Sequence, residues 1–277
     1  MSPLTPEKIA SYHENGYLLL RAGEHKLVDP TELKQWTQEV QAWPRVEGKW
    51  MPYDEINING ERQLMRTERF IDYHPKFKSL VCGEQLAGIL KAVSGDDMLL
   101  FKEKINYKHQ GNGFQAHLDA PAYDHIRRIE HITANIAIDA ATPENGCLEV
   151  VRGSHKMKVE FAEAGRITPE WENTHERTSV PLEMGDMLIF GSHLAHRSAE
   201  NKTEGVGPAF MLPFTRGVTG RILGSNITSI GWRCSHLSTS ARMAKTTLKA
   251  TRPMALRRLS PKPRKMLLQP LMLLSRY

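Results

Sequence analysis

From residue 98 onward the chain is written in short apolar runs punctuated by turn residues, and this punctuation restricts its fold more than any other feature. Runs over 98–107, 129–138, 147–151, 178–180, 187–190 and 209–214 are separated by Gln110-Gly111-Asn112-Gly113, Pro143-Glu144-Asn145-Gly146 and Glu183-Met184-Gly185-Asp186, among others. Strands of that length, broken by glycine- and asparagine-rich turns, predict a β-sandwich or barrel. No internal repeat is present, and strands do not alternate with helices as a parallel α/β sheet requires.

The first hundred residues read differently. Thr5 is a good N-cap, Pro6 suits a first helical position, and Asn15-Gly16 ends the helix before the apolar Tyr17-Leu18-Leu19-Leu20 begins a strand. Leu33, Trp36 and Val40 share one face of a helix expected over 30–40, and a third helix fits 76–93. Residues 43–69 are mixed and interrupted by proline; their Arg62-Gln63-Leu64-Met65-Arg66-Thr67-Glu68 is a candidate cover for a site. The expected class is therefore mainly β with flanking helices, an α+β arrangement.

Charge divides the chain in two. The last acidic residue is Glu204, and the remaining residues hold 13 Lys and Arg with no Asp or Glu, which alone turns an acidic body into a chain of formal charge +6. A basic tail can serve nucleic acid or an anionic membrane. This one lacks interleaved aromatics, so no nucleic-acid role is expected. Its composition sets residues 218–277 apart as a basic, poorly patterned segment from a domain over 1–217. Such a loss of every carboxylate is also what a misjoined reading frame produces. The apolar stretch 266–274 is broken by Gln269 and Pro270 and falls short of the roughly 20 residues of a membrane span. Cys82, Cys147 and Cys234 are widely spaced and odd in number, and the chain starts without an apolar leader, so a reducing, cytoplasmic setting is expected.

Chemistry concentrates at His117-Leu118-Asp119. On extended backbone, residues two apart project from one face, so an imidazole and a carboxylate can meet one ion. Two histidines and one carboxylate on one triangular face leave three positions of Fe(II) open. Alone, the pair also describes a surface histidine beside a turn aspartate. Its company decides: Gly185-Asp186 feeds the apolar Met187-Leu188-Ile189-Phe190, followed by His196, Ser198, Asn201 and Thr203.

The stretches FKEKINYK, GFQAHLDAPAY, ENGCLEVVRGSHK and GDMLIFGSHLAHRSAENKT resemble the phytanoyl-CoA dioxygenase (PhyH) family, which includes ectoine hydroxylase. The resemblance spans about residues 5–214. It implies a double-stranded β-helix, a cupin-like jelly roll, holding Fe(2+) through His117, Asp119 and His196, with 2-oxoglutarate as cosubstrate and O2 as oxidant. His193 competes for the distal place, but the pattern H-x-S-x-x-N-x-T matches only from His196. His155 and His109 read as structural histidines. A carboxylate at Asp119 argues against the halogenating relatives and for hydroxylation or a related oxidation of a small molecule, as in secondary metabolism. That molecule and, at most, a second copy of the chain in a homodimer are the expected partners.

The same resemblance assigns Lys108 to 2-oxoglutarate, with Asn106 and Lys102 sharing its strand face, Asn135 at a cosubstrate-contacting position, and Ser198 beside the distal histidine. The alternative is that Lys102, Lys104 and Lys108 form a solvated strand edge. Tyr123 stands where relatives place an aromatic on the substrate, or packs at the rim. Arg66, Arg69 and Lys102 would make the mouth positive and favour an acidic substrate. One departure stands out: the family's arginine, eleven residues after the distal histidine, is Gly207 here. Lys108 would then carry the charge alone, Arg216 would substitute, or the grip on 2-oxoglutarate would be impaired. An impaired fold serving as a metal-binding or scaffold protein is the alternative function.

Overall fold

The computed structural model describes residues 4–57, 59–123, 131–162, 165–204 and 207–216. The basic segment 218–277 and Cys234 lie outside them. The described helices are α1 (Pro6–Asn15), α2 (Ala22–His25), α3 (Pro30–Gln41), α4 (Pro75–Val81), α5 (Glu84–Ser94) and α6 (Pro169–Thr174). The strands are β1 (Tyr17–Leu20), β2 (Met51–Ile56), β3 (Arg62–Glu68), β4 (Met98–Leu100), β5 (Lys104–Lys108), β6 (Phe114–His117), β7 (His131–Ala137), β8 (Leu148–Val150), β9 (Thr178–Val180), β10 (Met187–Gly191), β11 (His196–Ser198) and β12 (Gly207–Arg216).

Local chemistry sets the helix ends. The Thr5 side chain accepts from the Lys8 amide, Asp29 accepts from the Thr31 and Glu32 amides, and His74 Nδ1 accepts from the Phe77 amide, each ahead of a proline in the first turn. Gly16 closes α1 in the left-handed conformation at φ 84°, its N–H donating to the Tyr12 carbonyl.

The strands form two sheets. The larger runs β1-β10-β7-β12-β5-β3-β2, with β4 on the far end of β12, and the smaller runs β6-β11-β8-β9. The ladders are antiparallel throughout. Successive strands thus cross between facing sheets, which is the double-stranded β-helix. Alternation assigns the faces. Ile132, Ala134 and Ile136 of β7, Ile105 and Tyr107 of β5, and Met187 and Ile189 of β10 join a core that α1, α3, α4 and α5 cover. Leu188 and Phe190 point the other way and pack with Val150 and Val180 of the small sheet. Apart from Ala137, the remaining inward positions of β5 and β7 are polar: Lys104, Asn106 and Lys108, and His131, Thr133 and Asn135. A sheet that carries so many polar groups inward at one end is lining a site.

Three expectations from sequence need correction. The single helix over 76–93 is two, because Gly83 takes an extended conformation at φ −73° and ψ 147° and caps α5; a Cβ there would stand 2.7 Å from the Ser79 carbonyl oxygen. The strand over 98–107 breaks at residues 101–103, where buried Glu103 accepts from the Ile71 amide. Residues 43–69 contain the hairpin β2–β3, whose register shift between Tyr53 and Asp54 hides its alternation. Of the strand expected over 129–138, residues 129 and 130 lie outside the described residues.

Gly146 marks the tightest approach. It has φ +73°, and a Cβ would stand 2.0 Å from the Ala199 carbonyl oxygen and 2.3 Å from Lys108 Nζ. Gly146→Ala should therefore lose roughly 2 kcal/mol or more of folding stability, read as a lower midpoint in urea unfolding.

Candidate metal centre

The centre begins with a ladder pair. His117 ends β6 and His196 begins β11, and the two are directly opposite across the antiparallel pair. Facing residues put their side chains on the same side, and the imidazole centroids come within 4.3 Å. Each ring is turned by its own backbone. His117 Nδ1 lies 2.7 Å from the Gln115 carbonyl and His196 Nδ1 lies 2.9 Å from the Leu194 carbonyl. A proton on Nδ1 satisfies each carbonyl and leaves Nε2 with its lone pair free.

Asp119 follows β6 by two residues and completes the group. Its Oδ1 lies 3.6 Å from His117 Nε2 and 3.8 Å from His196 Nε2. Its Oδ2 turns to the opposite sheet, accepting from Thr133 Oγ1 at 3.4 Å with His131 Nε2 at 3.8 Å. One oxygen is thus anchored and the other faces the histidines. The donor atoms of His117, Asp119 and His196 all lie within 4.8 Å of one another, and they are the one such group of three or more among the described residues. Two neutral imidazole nitrogens and one carboxylate oxygen on a single side suit a divalent ion such as Fe(II).

Electrostatics treat the two histidines differently. Burial and the neighbouring His117 push His196 down to about 4, so its imidazole is neutral. Burial opposes charge on His117 too, but its hydrogen bond and attraction to Asp119 outweigh it and raise the pKa. Burial alone would raise Asp119; hydrogen bonds from His117 and His131 and the positive field of the histidines hold it well below the ordinary carboxylate range. The Phe190 ring, 5.0 Å from that of His196, floors the centre from β10.

The other predicted residues fall into three groups. Asn135 faces inward from β7, 8% exposed, and its Oδ1 has no hydrogen-bond partner among the described residues. Asn106 faces inward from β5, paired with Ala209 of β12 and Arg66 of β3. Lys108 and Ser198 do come together, but deeper: Lys108 Nζ donates to Ser198 Oγ at 2.5 Å, Gly146 O at 2.6 Å and Ala199 O at 2.5 Å. Gly207 is the ladder partner of Lys108. An arginine at 207 would share a face with that lysine. Lys102 is a correction, since it lies in the break before β5 rather than on its face, and its Nζ pairs with Glu68 at 2.8 Å. Arg66 also pairs with Glu68, at 2.8 Å, and its guanidinium lies 4.5 Å from the Tyr53 ring centroid. Arg69 turns away to the Met51 sulfur. Tyr123 is placed at the end of the single turn Ala120–Tyr123 that follows Asp119, and the backbone of Arg216 ends β12.

His193 is exposed and lines a different cleft with Tyr12, His13 and His155. His109 Nε2 meets the Leu64 carbonyl at 2.7 Å, and His155 Nε2 meets the His13 carbonyl at 3.2 Å. Sequence reasoning passed over His131 and Thr133, and considered Lys104 only as part of a solvated edge and Glu68 only within a covering segment. Thr133 and His131 could have been found by alternation with Asn135, two and four residues along the same strand.

Comparison with known proteins now bears on this geometry. Residues 12–208 match the model of the phytanoyl-CoA dioxygenase (PhyH) family. The chain belongs to that family. Dioxygenase lolE1 of Epichloe uncinata is 40% identical over 203 residues, 73% of this chain and 78% of the relative. The 2-aminoethylphosphonate dioxygenase of uncultured bacterium HF130_AEPn_1 is 34% identical over 219 residues, 78% of this chain and 83% of the relative. Among solved structures, EctD from S. alaskensis with 2-oxoglutarate and 5-hydroxyectoine superimposes with a TM-score of 0.63 at 18% identity, covering 78% of this chain and 77% of that one. At that identity the match speaks to the fold. Membership of the PhyH family places the chain among the dioxygenases, and no helix among the described residues is long and apolar enough to cross a membrane.

Thr133 and His131 hold the carboxylate that the histidines face, and groups in such supporting positions are worth about 10- to 100-fold in metal affinity. Thr133→Val should weaken Co(II) binding by about 10-fold with unfolding unchanged, measured by titrating the d–d absorption of the cobalt protein.

Proposed function

We propose that the chain is an Fe(II)- and 2-oxoglutarate-dependent dioxygenase that hydroxylates, or otherwise oxidises, a small molecule, with the metal held by His117, Asp119 and His196. One observation carries the reading: both imidazoles are tied through Nδ1 to backbone carbonyls, so their Nε2 atoms converge with Asp119 Oδ1. With iron and 2-oxoglutarate bound, O2 is spent on making succinate, CO2 and an oxidant able to take hydrogen from a C–H bond and return a hydroxyl.

The chain's own part is to hold, orient and keep dry. Thr133 and His131 fix the turn of the Asp119 carboxylate, and Phe190 with Leu188 closes the floor against water. Asn135, whose Oδ1 has no partner among the described residues, and Asn106 line the wall on which the cosubstrate would lie. Lys108, paired with Ser198 and directly across from Gly207, supplies the positive charge that the family's arginine carries at 207. A cosubstrate carboxylate reaching Lys108 would take the place of one of the three oxygens that now hold its ammonium. Ser198 Oγ already donates to the Gly146 carbonyl at 3.1 Å and accepts from Lys108, so it presents the ammonium without needing to move.

One observation favours a second reading. The Lys108 ammonium already has three acceptors, and the residue across from it is Gly207 rather than an arginine; a chain that binds metal but grips 2-oxoglutarate poorly would be a metal-binding or scaffold protein. Succinate release from 2-oxoglutarate under O2 separates the two. The dioxygenase reading expects iron-dependent succinate that His117→Ala and Asp119→Ala each lower by at least 100-fold, and Lys108→Ala to raise the KM for 2-oxoglutarate by about 10-fold or more, as loss of a charged hydrogen bond does. Succinate that survives Asp119→Ala unchanged would overturn it, and its absence from the native chain would favour the scaffold.

A further inference from the structure

The wall made by β3 and β5 carries more positive charge than its neighbours use. Glu68, only 4% exposed, sits among three cations: Arg66 Nε and Lys102 Nζ each lie 2.8 Å from its Oε1, and Lys104 is its ladder partner across the β3–β5 pair. One carboxylate answers two of them. Lys104 Nζ has no hydrogen bond or ion pair among the described residues, although it stands close enough to Asp119 and Glu68 for their charges to interact. A lysine drawn into a protein without a partner forgoes hydration that an ion pair would replace.

Position narrows the use. Lys104 pairs with Met211 of β12, which pairs with Asn135 of β7, so Lys104 and Asn135 stand in one row with one strand between them. Lys108 is four residues further along β5, about 13 Å away along the strand, in the row of Gly207. The two lysines therefore serve different ends of the inner wall. Lys108 keeps Ser198 and the Gly207 row; Lys104 keeps the end nearer Asp119. Charge bookkeeping points the same way. Fe(II) and dianionic 2-oxoglutarate cancel and Asp119 leaves one negative charge, while Arg66, Lys102 and Lys104 set against Glu68 leave two positive ones. A surplus of positive charge remains beside the centre, and in a half-buried site it favours an anionic guest.

We propose that Arg66, Glu68, Lys102 and Lys104 form the subsite for the primary substrate, with Lys104 its direct contact, and that this substrate is a small organic anion with a carboxylate or phosphonate head. The inference rests on the dioxygenase reading for what happens to the substrate, but not for its binding. Glu68 is the positioning residue: it spreads Arg66 and Lys102 to either side and leaves Lys104 uncovered. Lys104, a compact point charge on a flexible stem, can meet either head.

The test is calorimetric titration of the full chain, anaerobic and loaded with Fe(II) and 2-oxoglutarate, using propionate, 2-aminoethylphosphonate and neutral propionamide as probes. Loading is followed by the visible charge-transfer band, and the titrations are repeated on metal-free protein. At least one anion should bind and propionamide should not. Lys104→Met, which keeps the stem and removes the charge, should weaken that anion by at least 10-fold, while the 2-oxoglutarate midpoint of the band moves by less than threefold. Lys104→Arg should restore part of the affinity. The preferred head, carboxylate or phosphonate, is read from which probe binds more tightly. Binding of neither anion, equal binding of propionamide, or a Lys104→Met variant that loses 2-oxoglutarate instead of the probe would each overturn the proposal. A native chain that gives no band fails the dioxygenase reading, and the metal-free titrations then decide the anion subsite on their own.

Discussion

The antiparallel pairing of β6 with β11 is the contact on which the centre depends. It sets His117 opposite His196 and brings their imidazole centroids within 4.3 Å. The pairing lies in the small sheet, while the groups that orient Asp119 come from β7 in the large one. The centre therefore sits on the seam between the sheets. Its geometry is only as good as the packing of Leu188 and Phe190 against Val150 and Val180, which holds the sheets at their spacing. Loss of that packing would move the ligands apart without touching one of them.

Much of this was legible in the chain. His117, Asp119 and His196 were marked by their order and by the flanks that follow Gly185-Asp186, and the short punctuated strands already pointed to a β-sandwich or barrel. What stayed hidden had physical causes. The β2–β3 hairpin escaped because proline, charged residues and a register shift at Tyr53 and Asp54 erase the period of two. Lys102 was put on the face of β5 because the break at residues 101–103 was not visible; with the break, the inward phase begins at Lys104. Lys104 thus passed for a member of a solvated edge, when burial pushes its amine down to about 8. The helix over 76–93 looked continuous because a glycine inside a helical pattern is compatible with either outcome until its conformation is known.

Gly207 acquires a meaning that its sequence position alone lacks. It lies directly across from Lys108 on β5, so an arginine at 207 would stand beside that lysine. The two side chains are not equivalent. Arginine offers a planar fork to a carboxylate, whereas lysine offers a point charge, and here that charge also ties the loop at Gly146 to the one at Ala199. The same lysine joins the fold of the small sheet's edge to the depth of the site.

The central claim is that the folded chain presets a two-histidine, one-carboxylate face. A crystal structure of the full chain grown anaerobically with Mn(II), located by anomalous scattering, addresses it most directly. The expected result is one strong site with Nε2 of His117, Nε2 of His196 and Oδ1 of Asp119 as its protein ligands, and with Asp119 Oδ2 still turned to Thr133. An ion held by His193, His155 or His13 in the neighbouring cleft, or one bound at the centre without Asp119, would contradict it.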